Sequence, residues 1–331
     1  MQRTIFNLVA GLVLSFPVYS ADEIVVYSER KEHLIKPLFE AYTAETGVPI
    51  RYITDNAALL IERIAAEGES TPADLLMTVD AGNLWQAKER GILAPVESEL
   101  LEERVPAHLR DPDRQWFGLS QRARTIVYSS ERVDPAELSD YAGLADPEWR
   151  GRVCLRTAQK VYNQSLVATL IERLGEPETE AIVEGWVANL AAPVFTSDTR
   201  LLEAIAAGQC DVGIVNTYYL GRLVKDDPDF PVRVFWANQD GAGVHVNISG
   251  AGVLRHADNA AGATRLLEWL AGPEAQADFA GLNLEYPVLE ATQVDPVLEA
   301  WGDFEADPVN LEVAGRRQAQ AVKLMDRAGY R

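Results

Sequence analysis

The stretch Asp211-Val212-Gly213-Ile214-Val215-Asn216-Thr217-Tyr218-Tyr219-Leu220-Gly221-Arg222-Leu223 reads as a short buried strand, a tight turn and the start of a helix. Val212, Ile214 and Val215 make the strand. Asn216 or Thr217 is a natural N-cap, because either side chain can accept from the free amides of a first helical turn. The join between the carboxyl end of a strand and the next helix is where open α/β sheets bind ligands. Tyr218 and Tyr219 stand at that join.

A second stretch repeats the design. Val153-Cys154-Leu155-Arg156 has strand character, Tyr162-Asn163-Gln164-Ser165 follows, and an apolar-periodic helix runs from Leu166 to Leu174 with Gly175 as its stop. Three phenols at two such joins converge if both strands belong to one sheet. Aromatic packing is the commoner explanation of a tyrosine pair. Three phenols with no catalytic His or Cys beside them fit instead a hard, highly charged cation such as Fe(III), which takes oxygen ligands. A tyrosine titrates near ~10, so only a strong positive charge makes it an anion at neutral pH.

The chain has 331 residues, 47% of them apolar, enough for two lobes with sizeable cores. A formal net charge of −20 argues against a nucleic-acid partner, which requires basic surface, and fits a well-solvated acidic surface. Residues 1–20 read as a signal peptide: Arg3 is the positive end, Leu8 to Val18 the apolar core, and Val18-Tyr19-Ser20 the cleavage site before Ala21. The apolar run is short for a membrane span; an uncleaved anchor is the weaker reading. In an exported chain, Cys154 and Cys210 are either a disulfide or two small buried residues.

Read in order, Glu23–Tyr27, Val48–Ile53 and Leu75–Thr78 are strands alternating with helices that end at Gly47, Gly68 and Gly91, the pattern of a parallel sheet covered by helices. Residues 93–116 look irregular. Phe117 to Tyr128 is a long strand carrying Arg122 and Arg124, suited to crossing between lobes. The second α/β unit runs from Gly151 to about Trp236. A glycine-rich loop, Asn238 to Gly243, leads to a returning strand, Val244 to Leu254, then to helices near 258–271 and 273–280 and a tail helix near 313–327.

Val26-Tyr27-Ser28, Ser70-Thr71-Pro72-Ala73-Asp74, Thr78-Val79-Asp80-Ala81-Gly82, Tyr162-Asn163-Gln164-Ser165, Asn216-Thr217-Tyr218-Tyr219 and Asn247-Ile248-Ser249-Gly250-Ala251-Gly252 occur in that order across nearly the whole chain. In this the sequence resembles the ferric-ion-binding proteins of bacterial ABC importers. The resemblance implies an α/β fold of two lobes arranged as a clamshell, each a mixed, mainly parallel sheet flanked by helices. Its first lobe comprises residues 21–123 plus about 245–290, and its second 124–244 plus about 291–331. It implies a periplasmic, monomeric protein that is no enzyme. Such a protein ligates Fe(3+) through Tyr162, Tyr218 and Tyr219 and delivers it to an inner-membrane permease.

Many members of that family add a His, or a His and a Tyr, from the turn after the first strand. Here Ser28-Glu29-Arg30-Lys31-Glu32 contains neither. The chain is similar to the branch that holds iron with three tyrosines and a synergistic anion, usually carbonate. Three phenolates neutralise a trivalent ion, so the anion needs cationic partners. Arg30 and Arg122 are the candidates, since a guanidinium fork suits a planar oxyanion; Arg124 is a weaker one. His33 is expected on a helix surface rather than reaching the cleft, Asp80 as a helix N-cap with a hydrogen-bond acceptor behind the ligands as the alternative, Asn163 and Asn216 as caps with orienting the ligands as the alternative, Tyr27 in the core, and His245 and Asn247 near the hinge. The rival function is a clamshell binder for an organic anion or a polyamine. A secreted hydrolase would need a nucleophile elbow or a His/Asp partnership, and neither is legible.

Overall fold

In the computed structural model, residues 23–289 and 292–331 are described; the expected signal peptide lies outside them. The first α/β unit is β1 (Ile24–Ser28), α1 (Glu32–Thr46), β2 (Ile50–Thr54), α2 (Ala57–Glu67), β3 (Leu75–Thr78) and α3 (Ala81–Glu89). β1 pairs in parallel with both β2 and β3. α1 buries Ile35, Leu38, Phe39 and Tyr42, one stripe at helical spacing, and stops at Gly47, whose φ of 74° favours glycine. The region expected to be irregular contains α4 (Glu99–Arg104), started by Ser98, whose side chain accepts from Leu101 N.

The second unit holds β4 (Phe117–Ser129), β5 (Val153–Cys154), α5 (Val161–Leu174), α6 (Glu176–Ala188), α7 (Asp198–Ala206), β6 (Val212–Asn216), α8 (Thr217–Asp226) and β7 (Val232–Phe235). The chain returns through β8 (Val246–Val253) to α9 (Ala260–Leu270) and α10 (Pro273–Asn283). It ends with α11 (Pro296–Glu299), α12 (Glu312–Arg316) and α13 (Gln318–Arg327). The expected single tail helix is two, parted at Arg317.

Strand order is β2-β1-β3-β8-β4-β6-β5, with β7 also on β4. β4 joins the halves. Up to Ala123 it pairs antiparallel with β8; from Arg124 it pairs antiparallel with β6, and its last residues also pair with β7. β5 is shorter than expected. Only Val153 and Cys154 pair with β6, in parallel, and Arg156 already bridges to Phe195. Cys154 and Cys210 form a disulfide with their Cα atoms 5.9 Å apart. It ties β5 to the residue pair that leads into β6, so two neighbouring parallel strands deliver their following helices at one end of the sheet.

The last segment does not sit on one half alone. α12 packs on α3 of the first unit and on α5 of the second. Gly315 is the close approach: a Cβ there would stand 2.5 Å from Cβ of Trp85.

Candidate metal centre

The three tyrosines occupy first helical turns. Tyr162 is the second residue of α5, and Tyr218 and Tyr219 are the second and third of α8. Their helices follow paired strands, so the phenols meet. Tyr218 Oη lies 3.5 Å from Tyr162 Oη, and the Tyr218 and Tyr219 ring centroids are 4.4 Å apart. Tyr162 and Tyr218 are buried, Tyr219 partly so. A helix N-terminus favours a nearby negative charge by a few tenths to about 1 kcal/mol, a modest aid to a phenolate.

Asn216 stands at the N-cap of α8 but does not cap it. Its Oδ1 accepts from Arg124 Nη1 (3.2 Å) and its Nδ2 donates to Tyr218 Oη (3.3 Å). Asn163 is not a cap either. Its Oδ1 accepts from Arg124 Nε (2.9 Å), and its Nδ2 donates to the carbonyls of Arg156 and Thr157. Arg124 therefore binds the neighbour of Tyr162 and the residue two before Tyr218. It also donates to Ile214 O and Asp198 Oδ2. The weaker anion candidate is thus fully engaged beneath the tyrosines, because β4 places Arg124 directly opposite Asn216.

Arg122, two residues earlier, is buried. Its Nη2 donates to Val79 O and lies 4.0 Å from Asp80 Oδ2. Its guanidinium carbon is 5.2 Å from the Tyr162 ring centroid, and Nη1 has no protein partner. Arg30 is buried too, but Nη1 is engaged with Ser249 Oγ and with Glu285 Oε2 at 3.0 Å, while Nε and Nη2 lack partners. Burial works against the Glu285 carboxylate, yet Arg30, Arg122 and a hydrogen bond from Ser120 hold its pKa below the usual range.

The three tyrosines, Arg30, Arg122 and Glu285 line one cleft of about 420 Å³ that also includes Glu29, Lys31, Leu34, Arg156, Lys160 and Arg222. Lys160 Nζ lies 4.5 Å from the Tyr162 ring, and Arg222 lies 5.0 Å from the Tyr218 ring. Arg156 lies 5.6 Å from Tyr162 and 5.9 Å from Tyr219. Sequence reasoning missed these three cations, although Arg222 is four residues after Tyr218 and therefore on its helix face. Glu285 carried no local signal.

Burial pushes the Tyr162 and Tyr218 phenols well above their ordinary pKa, with Arg122 opposing it in part. Among the described residues, no three or more His, Cys, Asp or Glu side chains gather to hold a metal ion, so the phenols are the concentrated donor set. Asp80 is the N-cap of α3, accepting from Gly82 N at 2.8 Å. Tyr27 is core. His33 is exposed on α1. His245 is buried where β4 changes partners, and burial lowers its pKa to about 3.

Residues 70–305 match the family described as bacterial extracellular solute-binding protein. Iron uptake proteins A1 and A2 of Synechocystis sp. (strain ATCC 27184 / PCC 6803 / Kazusa) are each 44% identical to this chain. The first match covers 93% of this chain and 88% of that protein, the second 99% and 98%. Among solved structures, the Trichodesmium protein (IdiA, FutA) in complex with iron and citrate ligands superposes with a TM-score of 0.90 at 44% identity, over 93% of this chain and 100% of that one. The ferric binding protein from Campylobacter jejuni gives 0.87 at 31% identity, over 93% and 100%.

Proposed function

The chain belongs to the bacterial extracellular solute-binding proteins, and from that premise we propose that it is the periplasmic Fe(III)-binding component of an ABC iron importer. It acts as a monomer that captures ferric ion and hands it to an inner-membrane permease. The observation that carries this reading is the meeting of Tyr162, Tyr218 and Tyr219 in one cleft, with two phenol oxygens 3.5 Å apart. Three phenols, two of them buried and one partly so, give a cation of high charge three hard oxygen ligands. The names of the Synechocystis relatives and the iron in the Trichodesmium structure support iron as the cargo.

A synergistic anion completes the site. Carbonate is the first choice, and citrate, which accompanies iron in the Trichodesmium structure, is the second. Nη1 of Arg122 and Nε of Arg156 are open donors beside the phenols. Arg30 contributes through Nε and Nη2, because its Nη1 is already matched to Glu285. Arg156, Lys160 and Arg222 add positive charge around the rings, which favours both phenolate formation and anion capture.

Replacement of Tyr219 tests the ligand set. Tyr219→Phe removes one donor oxygen and leaves the ring packing, so iron affinity should fall by more than the roughly 10–100-fold typical of losing an outer-sphere partner. Competition with a chelator measures it. Unchanged affinity contradicts the assignment.

A further inference from the structure

Among the described residues two carboxylates line the cleft, and only one of them is ion-paired. Glu285 accepts from Arg30 Nη1 at 3.0 Å and from Ser120 Oγ. Glu29 stands in the turn after β1, where its backbone N–H donates to Met77 O (2.8 Å) and continues the pairing of β1 with β3. Its side-chain Oε2 accepts from Val79 N (3.0 Å) and from Asn83 Nδ2 (3.1 Å). Both donors are neutral and both reach the same oxygen. Among the described residues Oε1 has no protein partner, in a side chain that is half-buried and lines the cleft.

Val79 sets how close this carboxylate lies to the phenols. Its N–H binds Glu29, and its carbonyl accepts from Arg122 Nη2. One residue therefore spaces Glu29 from the guanidinium whose carbon is 5.2 Å from the Tyr162 ring centroid. The charge on Glu29 accordingly opposes ionisation of Tyr162, while Glu285 is not among the main influences on either buried phenol. The same lining carries six Arg and Lys side chains among the described residues, so a further anionic ligand beside the phenolates is electrostatically supported.

We propose that Glu29 is a fourth protein ligand of the ferric ion, bound through Oε1, so that the first half of the chain holds the metal together with the tyrosines of the second. This rests on the ferric reading above. A carboxylate is a hard oxygen donor of the kind such a cation takes. Three phenolates and a bidentate carbonate fill five positions, and hard cations commonly take six or more oxygens, which leaves a place for Oε1. The other oxygen stays with Val79 and Asn83, and these outer hydrogen bonds fix the direction of the ligating carboxylate.

The test is Glu29→Gln in the purified protein. The same two donors can hold the amide oxygen, so the NH2 group, which is no ligand, takes the place of Oε1 and the half-buried site keeps its packing. Visible spectra with Fe(III) and bicarbonate, and competition with a chelator, compare the variant with the unsubstituted protein. The variant should keep a phenolate-to-iron band but move it to longer wavelength, because iron short of one anionic oxygen is a better electron acceptor. Its iron affinity should fall by more than the roughly 100-fold that an outer-sphere partner can cost. A carboxylate that only stands nearby acts with the opposite sign, since its removal eases ionisation of Tyr162. A variant that binds iron as tightly or more tightly, with the band in place, therefore overturns the assignment and leaves the tyrosine site standing. If the unsubstituted chain itself develops no band, the ferric reading falls and the role of Glu29 falls with it.

Discussion

At Tyr162 and Tyr218, burial disfavours the phenolate more strongly than Arg122 favours it, so both phenols keep their protons at neutral pH without metal. Ligation of iron by these phenols, as proposed, displaces those protons. Because the pKa values lie above the ordinary tyrosine value, protons are released on binding throughout the acidic and neutral range. Apparent affinity therefore falls as pH falls, by roughly tenfold per pH unit for each proton displaced. Chelator competition at several pH values between 6 and 8 (about one unit either side of neutrality) should show this slope; a flat profile contradicts phenolate ligation. Arg124 is the other decisive residue, bonded to Asn163, Asn216 and Asp198, the last of which it shares with Arg156. Arg124→Met strips buried hydrogen bonds from Asn163 and Asn216 while Asp198 keeps Arg156, and should lower stability by roughly 1–3 kcal/mol, measured by urea unfolding. The sequence offered Arg124 only as a second anion candidate. A strand pattern gives the side of a residue and not its partner, and here that partner, Asn216, lies on a strand 92 residues away.

The element that brings the three tyrosines together is the pair β5 and β6, each feeding a helix whose first turn carries tyrosine. That much was legible, since a short apolar run before a helix-starting residue has a local cause. The brevity of β5 was not, because Arg156 leaves the β6 register to bridge Phe195. Gly213 belongs to this pairing: a Cβ there would stand 2.8 Å from Cys154 O and 2.6 Å from Leu201 Cδ2. The disulfide closes a loop of 56 residues. Its replacement by Cys154→Ser with Cys210→Ser should cost roughly 4 kcal/mol by the chain-entropy relation. Denaturant unfolding of the double variant against the oxidised protein measures this, and a difference near zero contradicts a structural role for the bridge. Capping illustrates the limit of local reasoning. Asp80 caps α3 as its position implies, whereas Asn216 and Asn163 give their side chains to Arg124 and to loop carbonyls, because a buried guanidinium competes for them.

For the molecule as a whole, two halves share β4 and β8, and a tail spans both. The crossing strand was readable from its length and its place between two α/β units. The tail's double attachment was not, because it depends on contacts such as Gln86 with Gln318, 232 residues apart. The same holds for Glu285, which meets Arg30 Nη1 across 255 residues. No helix among the described residues is long and apolar enough to cross a membrane, and the charge of −20 keeps the surface well solvated.

On the function proposed here, the three phenols become phenolates on ferric ion with an anion beside them. A visible absorption titration of the purified protein with Fe(III), with and without bicarbonate, tests it most directly. The loaded protein should show a phenolate-to-iron charge-transfer band that shifts or sharpens with bicarbonate and is lost in Tyr219→Phe. A folded protein that develops no band in the presence of Fe(III) would contradict it and would leave an organic solute as the cargo.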